Sequence, residues 1–468
     1  MSRAVSELEE LLGLEPSGSL VRISGVSSVA QEVEPGDLFV ALPGTRHHGL
    51  DFIETALSLG AVAVLTDRPV TLDVPVLLAK DPKSLIGKIC NFVMGEVPLT
   101  LFAVTGTNGK TSTANYLHQL LVGTGVKAIL SSSIGIDQDG VLIDSALTTS
   151  ELTTLRKLLN RAHQAGAKAA VIEVSAQALV RHRVDGLVFS VSGFTNLSRD
   201  HLDDFVDMET YLQAKAVLFE PERSKRAVIF EGDQYSKILG QQLEIPVTTV
   251  GNEGQTSFRF KDHTLVLDGK YRATLNFQFG ELMAKNFALA FVMLCEAGYQ
   301  IEELTASARG ISQVPGRLQL VSQSTPHTYV DYAHTPDGIA KTLGELKSRY
   351  PGVTLVFGAS GNRDVGKRFE MGQAAVAADL VFLTDQHPRD EDPGAIREAV
   401  AAGLREKSKD FIEVADPETA IFKAISNTPA EHAVLWCGPG HLKYREIAGQ
   451  KLAFDALKIA QMAVDKNA

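Results

Sequence analysis

Between an apolar run, LFAV (101–104), and a helix-like stretch, TANYLHQLL (113–121), the chain reads Thr105-Gly106-Thr107-Asn108-Gly109-Lys110-Thr111-Ser112. This junction constrains the fold more than any other feature, because it demands a buried strand that turns at once into a helix N-terminus. Glycine lets backbone N–H groups turn inward on a polyphosphate, and the helix dipole favours the negative charge. Lys110 is placed to neutralise β/γ oxygens, and the hydroxyl of Thr111 or Ser112 to reach Mg²⁺. The competing account is an ordinary glycine-rich strand-to-helix turn. The spacing is shorter than the usual G-x-x-x-x-G-K-(S/T), which narrows the class.

Around this junction the chain divides. Its 468 residues allow about three domains at ~150 residues each. The first segment opens with an amphipathic helix pattern, then strand-like VRISGV, then EVEPGDLFVALPG, in which a Pro-Gly-Asp turn feeds an apolar strand. DFIETALSLG reads as helix with a glycine stop, and AVAVLTD as a buried strand. A boundary falls near Val97. Beyond it, strands such as AAVIEVS and LVFSVSGFTNL alternate with helices, the mark of βαβ units and a mainly parallel sheet. Residues 244–280 break that pattern with short alternating runs and a DG turn, read as an antiparallel insertion or edge. The last third alternates again, and TLVFGASGN, ADLVFLTD and HAVLWCGPGH each carry polar residues just past a strand. Ligands bind at that edge of an open α/β sheet. The expectation is an α/β protein of three domains, at 1–97, 98–318 and 319–468.

Composition removes other classes. With 45 Lys+Arg against 56 Asp+Glu the formal charge is −11, so general binding to nucleic acid or an anionic membrane is not expected. A phosphorylated ligand must be held by a local cluster of donors instead. Cys90, Cys295 and Cys437 are far apart and make no CxxC, which fits a reducing compartment. MSRAVSELEELLGLEP carries acids where a signal peptide needs an apolar stretch, and no run of about 18 apolar residues occurs. A cytoplasmic protein is expected.

Two further segments carry chemistry. Glu173 ends the apolar run in VIEVSAQAL, and an acid there either serves a metal or is a strained liability. FTNLSRDHLDDF gathers Asp200, His201 and Asp203 past another strand; the bland account is a helix N-cap with acids at the dipole's positive end.

TGTNGKTS, EVSAQAL, FTNLSRDHLD, YLQAKAVLF, VPGR, DYAHTPDG and FGASGNRDVGKR occur in the order seen in Mur ligases, and the chain most resembles the MurE type. The match runs from about residue 98 to 447. It implies an N-terminal UDP-substrate domain, a central P-loop ATPase-like domain with a parallel sheet, and a C-terminal Rossmann-like domain. It implies ATP held by Gly106, Thr107, Asn108, Gly109, Lys110, Thr111 and Ser112, with Asn286, Arg317, Asp331 and His334 around the hinge. Thr111, Glu173, His201 and Lys215 would surround Mg²⁺. Lys215 matches the lysine that the family carbamylates; a neutral lysine captures CO₂, and the anion formed can neighbour magnesium. Lys110, Glu173, His201 and Lys215 are thus the catalytic set. Thr148, Thr149, Ser175 and Arg183 match contacts to a nucleotide-linked muramoyl-dipeptide. Arg363, Lys367 and Arg368 fall in a basic loop near the phosphates and incoming amino acid, with His387, Arg389 and Gly438 beyond. The reaction implied is acyl-phosphate formation followed by amide formation, with small-molecule substrates and no nucleic acid or membrane partner.

Departures from the family pattern concentrate at recognition positions. Val29-Ala30-Gln31 stands where Asp-Ser-Arg is usual, and His47 and His48 lie nearby. Gln386-His387-Pro388-Arg389 replaces Asp-Asn-Pro-Arg, leaving Arg389 to pair with a carboxylate. Gly438-Pro439-Gly440-His441-Leu442 replaces GKGHE, so the glutamate that would hold a distal ammonium is absent, at a cost of several kcal/mol for a buried ammonium. Met283 takes the middle position of an adenine-side Gly-x-x-Asn-x-x-Asn that keeps Gly280 and Asn286, and Ala176 follows Ser175. Meso-diaminopimelate is the amino acid expected, because Arg389 stays. Two other readings remain open: a paralogue joining a different carboxylate and amine, and an ATP-binding scaffold.

Overall fold

In the computed structural model, residues 2–44, 47–138, 140–143 and 147–467 are described. The strand before the phosphate-type loop, Thr100–Thr105, sits near the middle of an 11-stranded sheet. Seven of its strands run parallel, in the order Ala128–Ser132, Ala169–Glu173, Thr100–Thr105, Val191–Phe194, Ala227–Glu231, Val247–Gly251 and Thr256–Lys261. The expected antiparallel edge begins later than residue 244: Val247–Gly251 is still a parallel strand, and Thr256–Lys261, Thr264–Gly269 and Ala273–Asn276 then pair antiparallel in succession.

The sequence explains why this sheet is buried on both faces. Its inner strands are continuous apolar runs, AAVIE and TLFAVT, without the alternation of a solvated face. On one face lie two helices, Lys110–Gly123 and Glu281–Glu296. The second is apolar nearly all round (ELMAKNFALAFVMLCE), so it is a core helix, with Phe287, Phe291 and Tyr116 closing the contact.

A six-stranded sheet follows, Gln319–Ser322 at one edge and then five parallel strands. A four-stranded parallel sheet precedes it in the chain, from Gly25–Ser27 to Val76–Leu78. The latter is fastened to the central sheet's helix Leu152–Gln164: Lys157 Nζ pairs with Asp37 at 2.6 Å, and Ser28 N donates to Thr153 Oγ1 at 3.1 Å. Arg156, fully buried, reaches Asn91 and the Gly95 carbonyl. All three cysteines are buried and unpaired. No described helix is long and apolar enough to cross a membrane.

Candidate active site

The central and C-terminal sheets turn the carboxyl ends of their strands toward one another, and a cleft of about 830 Å³ lies between them. Thr105, Glu173, Phe194 and Asp331 each end a strand at this edge, where open α/β sheets bind ligands.

The loop 106–109 shows why it needs glycine. Gly106 has φ of 141° and lies so close to Thr195 Oγ1 that a Cβ would collide with it; Gly109 has φ of 85° and faces Asn286 Oδ1 in the same way. Asn286 therefore buttresses the loop from the core helix. Thr195 and Asn196 hold it from the other side, both donating to the Asn108 carbonyl, at 2.7 and 2.9 Å. The helix Lys110–Gly123 begins with no side-chain cap, so its first-turn N–H groups are left for an anion. Lys110 Nζ meanwhile donates to the Thr107 carbonyl at 2.8 Å. Burial lowers the Lys110 pKa, against the opposing pull of Glu173 and Asp200. An anion reaching the loop would favour the charged ammonium. Ser112, 1 % exposed, also lines the cleft.

Thr111 and Glu173 bring two hard oxygen donors together. Thr111 Oγ1 donates to Glu173 Oε1 at 3.1 Å, and Glu173 Oε2 accepts from the Ser133 N–H at 2.8 Å. Both side chains are buried, and both line the cleft. That donor chemistry suits Mg²⁺. His201 lines the same cleft, beside Asp200 at 3.4 Å and with a left-handed φ of 57°. Among the described residues the one compact cluster of three His, Cys, Asp or Glu side chains is His201, Asp203 and Asp204. Lys215 does not line the cleft. From the helix Met208–Ala216 it passes under the loop, donates to the Gly106 carbonyl at 2.8 Å and stacks on Tyr211 at 4.4 Å. Burial, reinforced by Lys110, holds its ammonium pKa well below the ordinary 10.5.

The other expected residues divide. Thr148, Ser175, Arg183, Arg363, Lys367, His387, Arg389 and Gly438 line the cleft, as do Thr107, Asn108, Asn286, Arg317, Asp331 and His334. Thr149 does not. Fully buried, it donates to the Glu173 carbonyl at 2.8 Å and accepts from the Ser175 N–H at 3.2 Å, so it positions the strand end. Asp331 is committed to backbone, accepting from Leu318 N at 2.6 Å and Ala333 N at 2.7 Å, which fixes the turn after VPGR. Arg368 is occupied by a bidentate pair with Glu391, both contacts at 2.8 Å, and lies outside the cleft lining. His48 is a buried capping residue bonded to Asp67 at 2.8 Å, and neither it nor His47 reaches the cleft.

Sequence reasoning passed over contacts that cross between the sheets. Lys367 Nζ donates to Asp200 Oδ1 at 2.9 Å, with both groups buried. Its counterions hold Asp200 below the usual carboxylate range despite burial. His441 Nε2 meets the Ser133 carbonyl at 2.7 Å, Arg317 Nη2 donates to Thr111 Oγ1 at 3.1 Å, and Asn108 Nδ2 donates to Asp337 at 3.0 Å. Arg199 pairs with Glu370 alongside. Partners 167 positions apart, as Lys367 and Asp200 are, leave no local pattern.

Two histidines of this cleft give a pH prediction. Burial, aided by Arg389 and Arg445, pushes His387 down to about 4, and burial with Arg317 pushes His441 down to about 3, against an ordinary value of 6.5. Unfolded, both take up protons as the pH falls through 6.5; folded, they do so only near 4 and 3. Their neutral burial therefore leaves stability full above 6.5 and eroded below it. Thermal melts from pH 7.5 to 5 are expected to show a falling midpoint, with a shallower fall in His441→Asn; parallel curves for the two proteins would refute the assignment to His441.

Three family models match the chain: the Mur ligase middle domain over residues 104–292, the Mur ligase glutamate ligase domain over 316–440, and the Mur ligase family catalytic domain over 22–89. A UDP-N-acetylmuramyl-tripeptide synthetase of Leifsonia xyli is 40% identical, covering 99% of this chain and 96% of its own. A UDP-N-acetylmuramoyl-L-alanyl-D-glutamate--2,6-diaminopimelate ligase of Aquifex aeolicus is 35% identical, over 96% and 95%. A solved structure with the same ligase name superposes with a TM-score of 0.69 at 27% identity, covering 99% of both chains.

Proposed function

Because this chain belongs to the Mur ligase family, and within it to the MurE type, we propose that it adds an amino acid to the D-glutamate of UDP-N-acetylmuramoyl-L-alanyl-D-glutamate in peptidoglycan synthesis. It is an ATP-dependent amide ligase. The observation that carries the reading is the cleft itself: one wall offers an uncapped helix N-terminus with Lys110, and the other brings Arg317, Lys367 and Arg363 to face it.

The reaction has two steps. A substrate carboxylate oxygen attacks the γ-phosphorus of ATP, ADP leaves, and an acyl phosphate forms. An amine then attacks the acyl carbon, inorganic phosphate leaves, and the nitrogen gives up a proton. The first step brings anions together, so lysine and arginine must offset their repulsion. Thr111 and Glu173 would hold Mg²⁺, which supplies charge neutralisation to the phosphates when bound. Lys110 holds the β/γ oxygens, while Arg317, stacked on Tyr332 at 4.5 Å, keeps a fixed direction toward them. Thr148, Ser175 and Arg183, on the Glu173 side of the cleft, would align the carboxylate. Carbamylated, Lys215 would supply a negative charge beneath the phosphate loop, and its depressed pKa supports the capture of CO₂. Buried free thiols suit a cytoplasmic protein.

The incoming amino acid is read as one with a second amine. Meso-diaminopimelate is expected on Arg389 alone, and the distal end depends on what surrounds that arginine. The test is ADP and phosphate release with Mg²⁺, UDP-muramoyl-dipeptide and a panel of amino acids. Stoichiometric tripeptide and phosphate with a diamino acid are expected. ATP turnover with another acid and amine, but none with this nucleotide, would overturn the reading in favour of the paralogue.

A further inference from the structure

Arg389 is not free. Its Nε donates to Glu446 Oε2 at 3.0 Å, and its Nη1 to the Gly361 carbonyl at 2.8 Å. The backbones are fastened as well: Arg389 N donates to the Glu446 carbonyl at 3.1 Å, and Ala448 N to the Arg389 carbonyl at 2.7 Å. Glu446 lies in the strand Tyr444–Ile447, and His387 Nδ1 accepts its N–H at 3.1 Å. The geometry therefore presents arginine and glutamate as one held pair at the cleft wall.

The acids that line the cleft from this side are unequal. Asp331 has both oxygens on backbone N–H groups. Glu345 has Oε1 and Oε2 on the first N–H groups of the helix Glu281–Glu296. Glu446 is bonded through Oε2 only, and its Oε1 takes no hydrogen bond among the described residues. Its side chain is 35 % exposed and lines the cleft. Arg363, also at the cleft wall, is in no ion pair among the described residues, which leaves a cation for an amino acid's own carboxylate.

We infer that Glu446 is the specificity-determining residue for the amino acid, receiving the ammonium at the distal end of a diamino monocarboxylic acid. This rests on the ligase reading above. Leu442 removes the glutamate expected four residues earlier, and Glu446 restores a carboxylate to the same cleft wall. Its charge also cancels that of Arg389. A second carboxylate at the distal end would meet Glu446 and an arginine whose Nε and Nη1 are already engaged, whereas an ammonium meets an unfilled oxygen. Meso-diaminopimelate, with a carboxylate at both ends, is disfavoured on the same ground.

The experiment compares kcat/KM for L-lysine, L-ornithine and meso-diaminopimelate in the full chain and in Glu446→Gln, which keeps the volume. The unaltered protein is expected to favour a diamino monocarboxylic acid at least about tenfold. In Glu446→Gln the KM for that acid should rise roughly ten- to a hundredfold, with kcat changed far less and preference moving toward meso-diaminopimelate. The preference ratio is independent of how much protein folds. Meso-diaminopimelate as the best substrate, or a ratio unmoved by the substitution, overturns the assignment. Silence with every amino acid, in protein that binds ATP, instead overturns the ligase reading beneath it.

Discussion

Lys110→Ala is expected to lower turnover by at least roughly 10²–10³-fold, the usual consequence of removing one preorganised group that meets developing charge. The fold should survive, because the ammonium's protein contact is a single carbonyl, that of Thr107 at the cleft wall. The loop is held instead by Gly106, Gly109, Thr195, Asn196 and Asn286, none of which depends on the lysine. The thermal midpoint should therefore stay within a few degrees of the parent's. ADP affinity should weaken much less than turnover falls, since an uncapped helix N-terminus still binds the anion. Single-turnover phosphate release with a fluorescent phosphate sensor reads the effect directly. Retention of more than a tenth of the parent rate would exclude Lys110 from the charge-stabilising role.

The second large effect belongs to Lys215. Lys215→Ala should abolish turnover, bicarbonate should not restore it, and a short carboxylic acid such as acetate should restore part of it. The physical reason lies in where the amine sits. Buried beneath the loop, between the Gly106 carbonyl and the Tyr211 ring, it is pushed toward the neutral form that carbon dioxide requires. Truncation leaves a pocket of carboxylate size; Lys215→Met fills it and should be equally inactive but not rescued. Full activity in the alanine variant would remove the carbamate from the mechanism. Rescue of the methionine variant to the same level would show that acetate acts elsewhere.

Much of the scaffold was legible because it depends on local pattern. The glycine-rich junction, the continuous apolar strands and the antiparallel edge after Gly251 all follow from the spacing of apolar residues and turns. The site was legible in membership more than in arrangement. Glu173 and Thr111 meet as their residue types suggest and His201 shares their cleft, yet Lys215 passes beneath the loop, because the periodicity of a helix does not say which side of a loop it passes. Arg368 looked like a phosphate ligand until its bidentate carboxylate partner appeared 23 positions away. Arg389 and Glu446 are 57 positions apart and belong to different elements, so no sequence pattern couples them. The general limit is that ion pairs within a fold are chosen by topology, and topology is the least local property of a chain.

The links between the central and C-terminal sheets have a kinetic consequence. Lys367–Asp200, Arg317–Thr111, His441–Ser133 and Asn108–Asp337 all span the cleft through which a nucleotide must enter and leave. Nucleotide exchange is expected to part these contacts, and the Lys367–Asp200 pair, buried when closed, gains solvation as it opens. Such a molecule behaves as a clasp with a solvent-dependent release. Opening of the seam is then expected on the microsecond-to-millisecond scale of domain motions, where it can limit turnover ahead of chemistry.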